Sequence, residues 1–130
     1  MELDSEFVSE KIREIYNSKE LKTCPIMVTF RVIGKQWTGA ILREIFLGEK
    51  QFNRIRVNVK GITPKMLSIR LRELEKYKII NRKIVSEYPI RIEYFLTESG
   101  KDLGKIILSA AAFSMQHFPR SVFKNETSSR

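Results

Sequence analysis

Between Gly61 and Gly100 the chain sets down a capped helix, a basic hairpin and a second capped helix in immediate succession. Thr63-Pro64 opens the first helix: a hydroxyl that accepts from a free N–H group, then a proline whose missing N–H is no loss at the first helical position. At about 100° per residue, Leu67, Leu71 and Leu74 form one stripe. The opposite face carries Lys65, Ile69, Arg72 and Lys76, with Ser68 at its edge. Glu73 and Glu75 leave the helix about 200° apart, so they read as ion-pair partners and not as an acid/base pair. Ile79-Ile80 then anchors a strand that continues through Arg82, Ile84 and Ser86. Glu87-Tyr88-Pro89-Ile90 is the tip, because proline stops regular pairing. The return strand, Arg91 to Leu96, puts Ile92, Tyr94 and Leu96 on one face and Arg91, Glu93 and Phe95 on the other. Thr97 caps the next helix. A helix with leucines inward and cations outward, followed by a basic hairpin, has the order of a winged helix-turn-helix, whose second helix fits a DNA major groove.

The flanking segments fit that order. Residues 5 to 16 carry Val8, Ile12 and Ile15 at helical spacing, and Lys22 to Pro25 breaks the pattern. Ile26 to Ile33 is an apolar run too short to separate helix from strand by period, and Gly34 ends it. Trp37 to Leu47 reads as a helix with a broad apolar face of Trp37, Ile41, Leu42, Ile45 and Phe46. Phe52, Ile55 and Val59 mark one more short helix before the turn at Lys60-Gly61. After Thr97, Leu103, Ile106, Ile107, Ala110, Phe113 and Ser114 make a stripe on a helix that runs to about His117. With the core of so small a domain already filled, this helix is expected to pair with a symmetry mate, together with Val8, Ile12 and Ile15; the alternative is a core helix folded back on its own domain. The expected class is α+β, mainly helical: a winged helix-turn-helix with a two-stranded wing and additional N- and C-terminal dimerisation helices. Its segments are 1–23 (dimerisation or support), 24–97 (DNA-binding core), 98–118 (dimerisation helix) and 119–130 (flexible tail), in one compact domain.

Charge narrows the partner. Twenty-four Lys and Arg against fifteen Asp and Glu leave +9, which favours a polyanion: nucleic acid ahead of an anionic membrane. Glu6, Glu10 and Glu14 on the polar side of the first helix would be repelled by anionic lipid. No apolar run approaches the roughly 18 residues of a membrane span, and the acidic start is no signal peptide, so a cytoplasmic protein is expected. One cysteine makes neither an intrachain disulfide nor a multi-cysteine zinc site. The single histidine, His117, is distant in sequence from Cys24, and there is no glycine-rich phosphate loop. The chain therefore reads as a binding protein for double-stranded DNA, not an enzyme, and no cofactor or metal is expected.

The base-side candidates are Thr63, Lys65, Met66, Ser68, Ile69, Arg72 and Lys76. Lys65 and Arg72 suit guanine acceptors or phosphates, and Ile69 a thymine methyl. Lys35, Arg54, Arg56, Lys60, Arg82, Lys83 and Arg91 are phosphate candidates, since loops and strands along the backbone supply charge without sequence information. The alternative keeps the fold but turns Ile69 and Ile90 to a protein of the transcription machinery. Cys24, before proline and near Lys22, is either an exposed thiol with thiolate character or a buried small apolar side chain. A lone cysteine would sense by alkylation, by a mixed disulfide with a small thiol, or by a bond across a dimer.

Spaced residues give a resemblance over roughly Cys24 to Leu108. Cys24-Pro25, Ile33-Gly34, Trp37, Gly48, Phe52, Gly61-Ile62-Thr63, Lys65-Met66-Leu67, Leu71 and Leu74-Glu75 are followed by Tyr88-Pro89, Arg91-Ile92-Glu93-Tyr94, Leu96-Thr97, Gly100 and Leu103. In this the chain resembles the HxlR-type winged helix-turn-helix transcriptional regulators. The resemblance implies a DNA-binding regulator, and it implies oxidant or electrophile sensing at Cys24, since several such regulators use the cysteine at this position. It departs from the family at Gly34-Lys35-Gln36-Trp37, where Gly-Gly-Lys-Trp is usual, and at Ile90, where a second proline is common.

Overall fold

The computed structural model describes residues 3–18 and 20–124; positions 1, 2 and 19 of the N-terminal segment and positions 125–130 of the expected tail lie outside the described residues. The elements are α1 (Ser5–Ser18), α2 (Pro25–Ile33), α3 (Thr38–Phe46), α4 (Phe52–Asn58), α5 (Pro64–Lys76), β1 (Ile80–Glu87), β2 (Ile90–Leu96), α6 (Glu98–His117) and α7 (Pro119–Val122). This is a mainly helical α+β winged helix-turn-helix, with one antiparallel hairpin among the described residues.

The core forms where short helices turn their stripes inward. Ile41, Leu42 and Ile45 of α3 meet Ile55 of α4, Val59 and Ile62 of the following turn, and Leu67, Leu71 and Leu74 of α5. Ile79 and Ile80 close it from the wing side, and Trp37, Phe52, Met66, Tyr94 and Leu96 pack on its edge. The run left open by its period is helical: Pro25 occupies the first position of α2, and Gly34 caps it by donating its N–H to the Phe30 carbonyl at 2.7 Å. Trp37 stands just outside α3 with φ of 79°, a left-handed turn that swings its indole onto Gly61. Gly61 has φ of 92°, and a Cβ there would sit 3.3 Å from the indole, so glycine is required twice over.

Two expectations about α6 and the C-terminus are revised. Leu103, assigned to a dimer face, is buried in the domain core, and Ile107 packs partly against it. The first turns of α6 do have a core to cover, because they pack against β2 and bring Leu103 onto the shared cluster. Ile106, Ala110 and Phe113 remain exposed. Pro119–Val122, at the start of the expected flexible tail, forms one exposed helical turn directly after α6. At the other end, neither α1 nor α2 buries a residue: Val8, Ile12 and Ile15 of α1, and Ile26, Met27 and Phe30 of α2, all face solvent.

Hydroxyl bonds weld the joint between α5, the hairpin and α6. Lys78 sits at φ of 61°, which turns its carbonyl toward α6. Thr97 Oγ1 donates to that carbonyl at 2.6 Å and accepts the Gly100 N–H at 3.0 Å; Ser99 Oγ also donates to Lys78 O, at 2.9 Å. The Thr97 N–H donates to Ile79 O at 3.0 Å. Gly100 lies so close to Ile79 that a Cβ on it would stand 2.0 Å from that carbonyl oxygen. The hairpin pairs Ile80 with Leu96 through Ile84 with Ile92; it then shifts register past Val85 and resumes at Ser86 with Arg91. Its base is fixed by the Tyr94 N–H, which donates to the Lys50 carbonyl at 2.9 Å.

Candidate nucleic-acid interface

The Thr63 hydroxyl accepts the Met66 N–H at 3.1 Å, so the cap expected from the sequence forms and starts α5 cleanly. With the three leucines inward, Lys65, Arg72 and Lys76 are exposed on the outer face. Arg72 donates from Nη2 to Ser68 Oγ at 3.0 Å, which pins the guanidinium along the helix. Two residues of the expected set sit differently. Met66 packs against the core and supports α5 from beneath, since its position flanks the leucine stripe. Ile69 is half-buried where full exposure was expected; on a helix surface, Lys65 at i−4 and Arg72 at i+3 flank it.

Carboxylates grip both flanks of α5. On one side Glu73 Oε2 receives Lys35 Nζ at 2.9 Å, and Arg70 Nη1 reaches both Glu73 oxygens at 3.3 and 3.4 Å. Arg70 also donates from Nε to the Gln36 carbonyl at 2.9 Å, so α5 is tied to the turn between α2 and α3. Lys35, then Arg70, hold the Glu73 carboxyl below the usual carboxylate range against the opposing effect of burial. On the other side Glu75 pairs with Arg82 of β1 at 3.4 Å. Burial pushes the Tyr94 phenol up, while Arg82 and Arg72 pull it down, which locates the cations of α5 and β1 beside one ring.

The remaining cations divide into free and engaged. Among the described residues Lys60, Lys83 and Arg91 are exposed and have no ion-pair partner, and Arg56 is half-exposed. Arg91 lines a shallow cleft with Gln51, Phe52 and Asn53, bringing the wing alongside the start of α4. Arg54 pairs with Glu49 at 3.4 Å. Lys35, offered as a phosphate contact, is committed to Glu73, because the turn after Gly34 points it at α5. Behind this surface Asn58 Nδ2 donates to Glu44 at 2.8 Å and to Glu49 at 3.2 Å, joining α3 to α4. Arg43 and Asn58 hold the buried Glu44 carboxyl below its usual range.

Cys24 lies some way along the chain from this face. It is the N-cap of α2 and is half-exposed, not buried. The Tyr16 hydroxyl above all, with the N–H groups of Met27 and Ile26 in the first turn of α2, lowers the thiol from its usual range against the smaller opposing effect of burial. The cause anticipated from the sequence, Lys22, is not among these. Cys24 in turn raises the Tyr16 phenol from its usual range. Tyr16, Arg70 and Asn58 are absent from the sequence-derived set, because each acts through a partner remote along the chain. Among the described residues no helix is long and apolar enough to cross a membrane, and no group of three His, Cys, Asp or Glu is placed to hold a metal.

A model of the HxlR-like helix-turn-helix family matches residues 32–122. The chain is 39% identical over 93 residues to the HTH-type transcriptional regulator YdeP of Bacillus subtilis, covering 72% of this chain and 73% of that one. It is 36% identical over 94 residues to the HTH-type transcriptional regulator YodB of the same organism, covering 72% and 84%. The reduced form of YodB superposes with a TM-score of 0.66 at 35% identity, over 74% of this chain and 95% of that one. The redox regulator HypR in its oxidized form gives 0.67 at 36% identity, over 72% and 97%.

Proposed function

The chain belongs to the HxlR-like helix-turn-helix transcriptional regulators, a DNA-binding and non-enzymatic family, and from that premise we propose a sequence-specific homodimer whose hold on DNA responds to thiol-reactive oxidants or electrophiles through Cys24. The observation that carries the reading is the outer face of α5, where Lys65, Arg72 and Lys76 stand exposed, followed by a wing whose Arg82, Lys83 and Arg91 are exposed as well. In this reading α5 enters the major groove with Lys65 and Arg72 at base edges or phosphates, and the wing follows the neighbouring backbone. Lys60, Lys83 and Arg91, which have no ion-pair partner among the described residues, contact phosphate without rearrangement.

The dimer is supported by α1 and α2. Helices of 14 and 9 residues with no fully buried residue, of which only the end of α2 touches the core through Val32 and Ile33, are marginal in water, and the apolar residues they turn to solvent call for a second copy. The exposed Ile106, Ala110 and Phe113 of α6 extend the same requirement. Sensing is supported by the relatives, since HypR is a redox regulator and YodB has been described in a reduced and a diamide-treated form. It is also supported by the half-exposed thiol at the start of α2. An adduct on Cys24 Sγ adds bulk at the start of α2, on the exposed apolar surface where a two-fold pair would be assembled.

The test is fluorescence anisotropy on a labelled fragment of the DNA upstream of the chain's own gene, titrated with salt and unrelated competitor, before and after oxidant. Sequence-preferring binding with a log–log salt slope on the order of −0.9 per phosphate is expected. Release by oxidant in the native chain but not in Cys24→Ser is expected with it. A flat salt dependence counts against DNA contact by this face, and release that persists in Cys24→Ser removes the sensor. Absence of binding even at low salt moves the chain to the partner-docking reading.

A further inference from the structure

We infer that Arg70 and Glu73 are positioning residues for base reading, setting the rotation of α5 about its own axis without touching DNA. The inference rests on α5 being the recognition helix. Arg70 lies on the flank of the leucine stripe, and its side chain is only 15% exposed. Its Nε reaches the Gln36 carbonyl at 2.9 Å, and its Nη1 holds Glu73, which in turn holds Lys35 at 2.9 Å. Lys35 and Gln36 belong to one tight turn, closed by the Thr38 N–H donating to Lys35 O at 3.2 Å. That same turn ends in Trp37, whose indole rests on Gly61 just before α5 begins. The turn therefore grips α5 at its start and near its middle.

Two points of attachment fix what one leaves free. A stripe of three leucines allows a helix to roll by small angles with little loss of contact, whereas directed bonds at 2.9 Å do not. With side chains at a radius of about 5–6 Å, a roll of roughly 15° moves Lys65 or Arg72 by about 1.5 Å. That displacement is enough to break a base-edge hydrogen bond and too small to lose a phosphate, which a flexible cation follows. Loss of the clamp should therefore lower discrimination between sequences and leave the number of phosphate contacts as it was.

The test compares the full chain with Arg70→Lys, Arg70→Met and Glu73→Gln, reading affinity for the upstream fragment and for an unrelated duplex of equal length across salt. Arg70→Met and Glu73→Gln change net charge in opposite directions. A general electrostatic role moves their affinities oppositely and leaves the ratio of the two duplexes unchanged, and that result overturns the inference. Positioning instead lowers the ratio in both, by about tenfold, with the salt slope unchanged. Arg70→Lys keeps the charge but not the planar fork, and it should lose discrimination as well. Thermal melting of each variant verifies that it is folded, and Glu73→Gln, the most conservative change, decides the matter if Arg70→Met does not fold. A native chain that shows no preference between the duplexes refutes the recognition reading of α5; a native preference retained in every variant refutes the clamp alone.

Discussion

Replacing Gly100 by alanine isolates the joint between α5 and α6 with a single methyl group. The new Cβ would stand 2.0 Å from the Ile79 carbonyl oxygen, 3.0 Å from its carbon and 3.2 Å from Leu96 Cδ2. Two of the three atoms are backbone, so relief requires α6 and the start of β1 to separate by about an ångström, well beyond ordinary side-chain give. That separation strains the bonds that Ile79 O accepts from the Thr97 N–H and hydroxyl, at 3.0 and 3.1 Å. Overpacking costs about 1–3 kcal/mol, and each weakened hydrogen bond adds about 1 kcal/mol. The expected loss is about 3–5 kcal/mol, a large share of the 5–15 kcal/mol typical of a whole domain. Gly104→Ala is the internal control. It lies one turn along the same helix, and its Cβ would meet only the edge of the Phe46 ring, at 3.4 and 3.7 Å. There the gain in helix propensity, about 0.5–1 kcal/mol, should appear as slight stabilisation. Urea unfolding at one fixed protein concentration, followed by circular dichroism and by the fluorescence of the single tryptophan, measures both. Equal midpoints for Gly100→Ala and the native chain would refute the reasoning, as would equal losses at the two glycines.

Three further outcomes are expected. The rate of Cys24 alkylation against pH should titrate below the ordinary thiol range, and Tyr16→Phe should move the titration up, since the phenol is the largest lowering influence; an unchanged profile removes Tyr16 from the account. Glu44 and Glu73 are both held below their usual range, so the stability they contribute is complete above the unfolded carboxylate value and is lost as pH falls through the folded values. Glu73→Gln should flatten the acid limb of an unfolding curve, and an identical limb contradicts the assignment. Asn58→Ala leaves the buried Glu44 without one of its two donors and should cost about 1–3 kcal/mol in urea unfolding; a loss within error shows that Arg43 alone suffices.

What was legible in the chain was local. Thr63 and Thr97 announce helix starts through bonds made three residues away, and Leu67, Leu71 and Leu74 announce an inward face through a repeat within one helix. The hairpin was legible in its alternation, although the register shift past Val85 leaves no mark in the pattern. Ile26 to Ile33 is undecided in the sequence because a run of eight is too short to separate helix from strand by period; in the structure it is helical, and only Val32 and Ile33 at its end pack against the core. Leu103 was misassigned because stripe arithmetic says which residues share a face and nothing about how far along the helix the core extends. Arg70 went unnoticed because its defining bond is to a backbone carbonyl 34 residues away, and backbone acceptors have no signature in side-chain sequence. Cys24 was legible as a candidate, but the source of its acidity was not, since Tyr16 meets it only through the bend between α1 and α2.

The joint at Gly100 also makes α6 a lever. Its short arm is welded to the reading head by Thr97, Ser99 and the Ile79 carbonyl, and its long arm is twenty residues, about 30 Å. In a two-fold pair fastened at the far ends of these arms, a change of roughly 6–7° in their crossing angle changes the separation of the two reading heads by about 3.4 Å, one base-pair step. The length of DNA such a pair spans is then gauged by the packing of Ile106, Ala110 and Phe113, side chains that no base would ever meet.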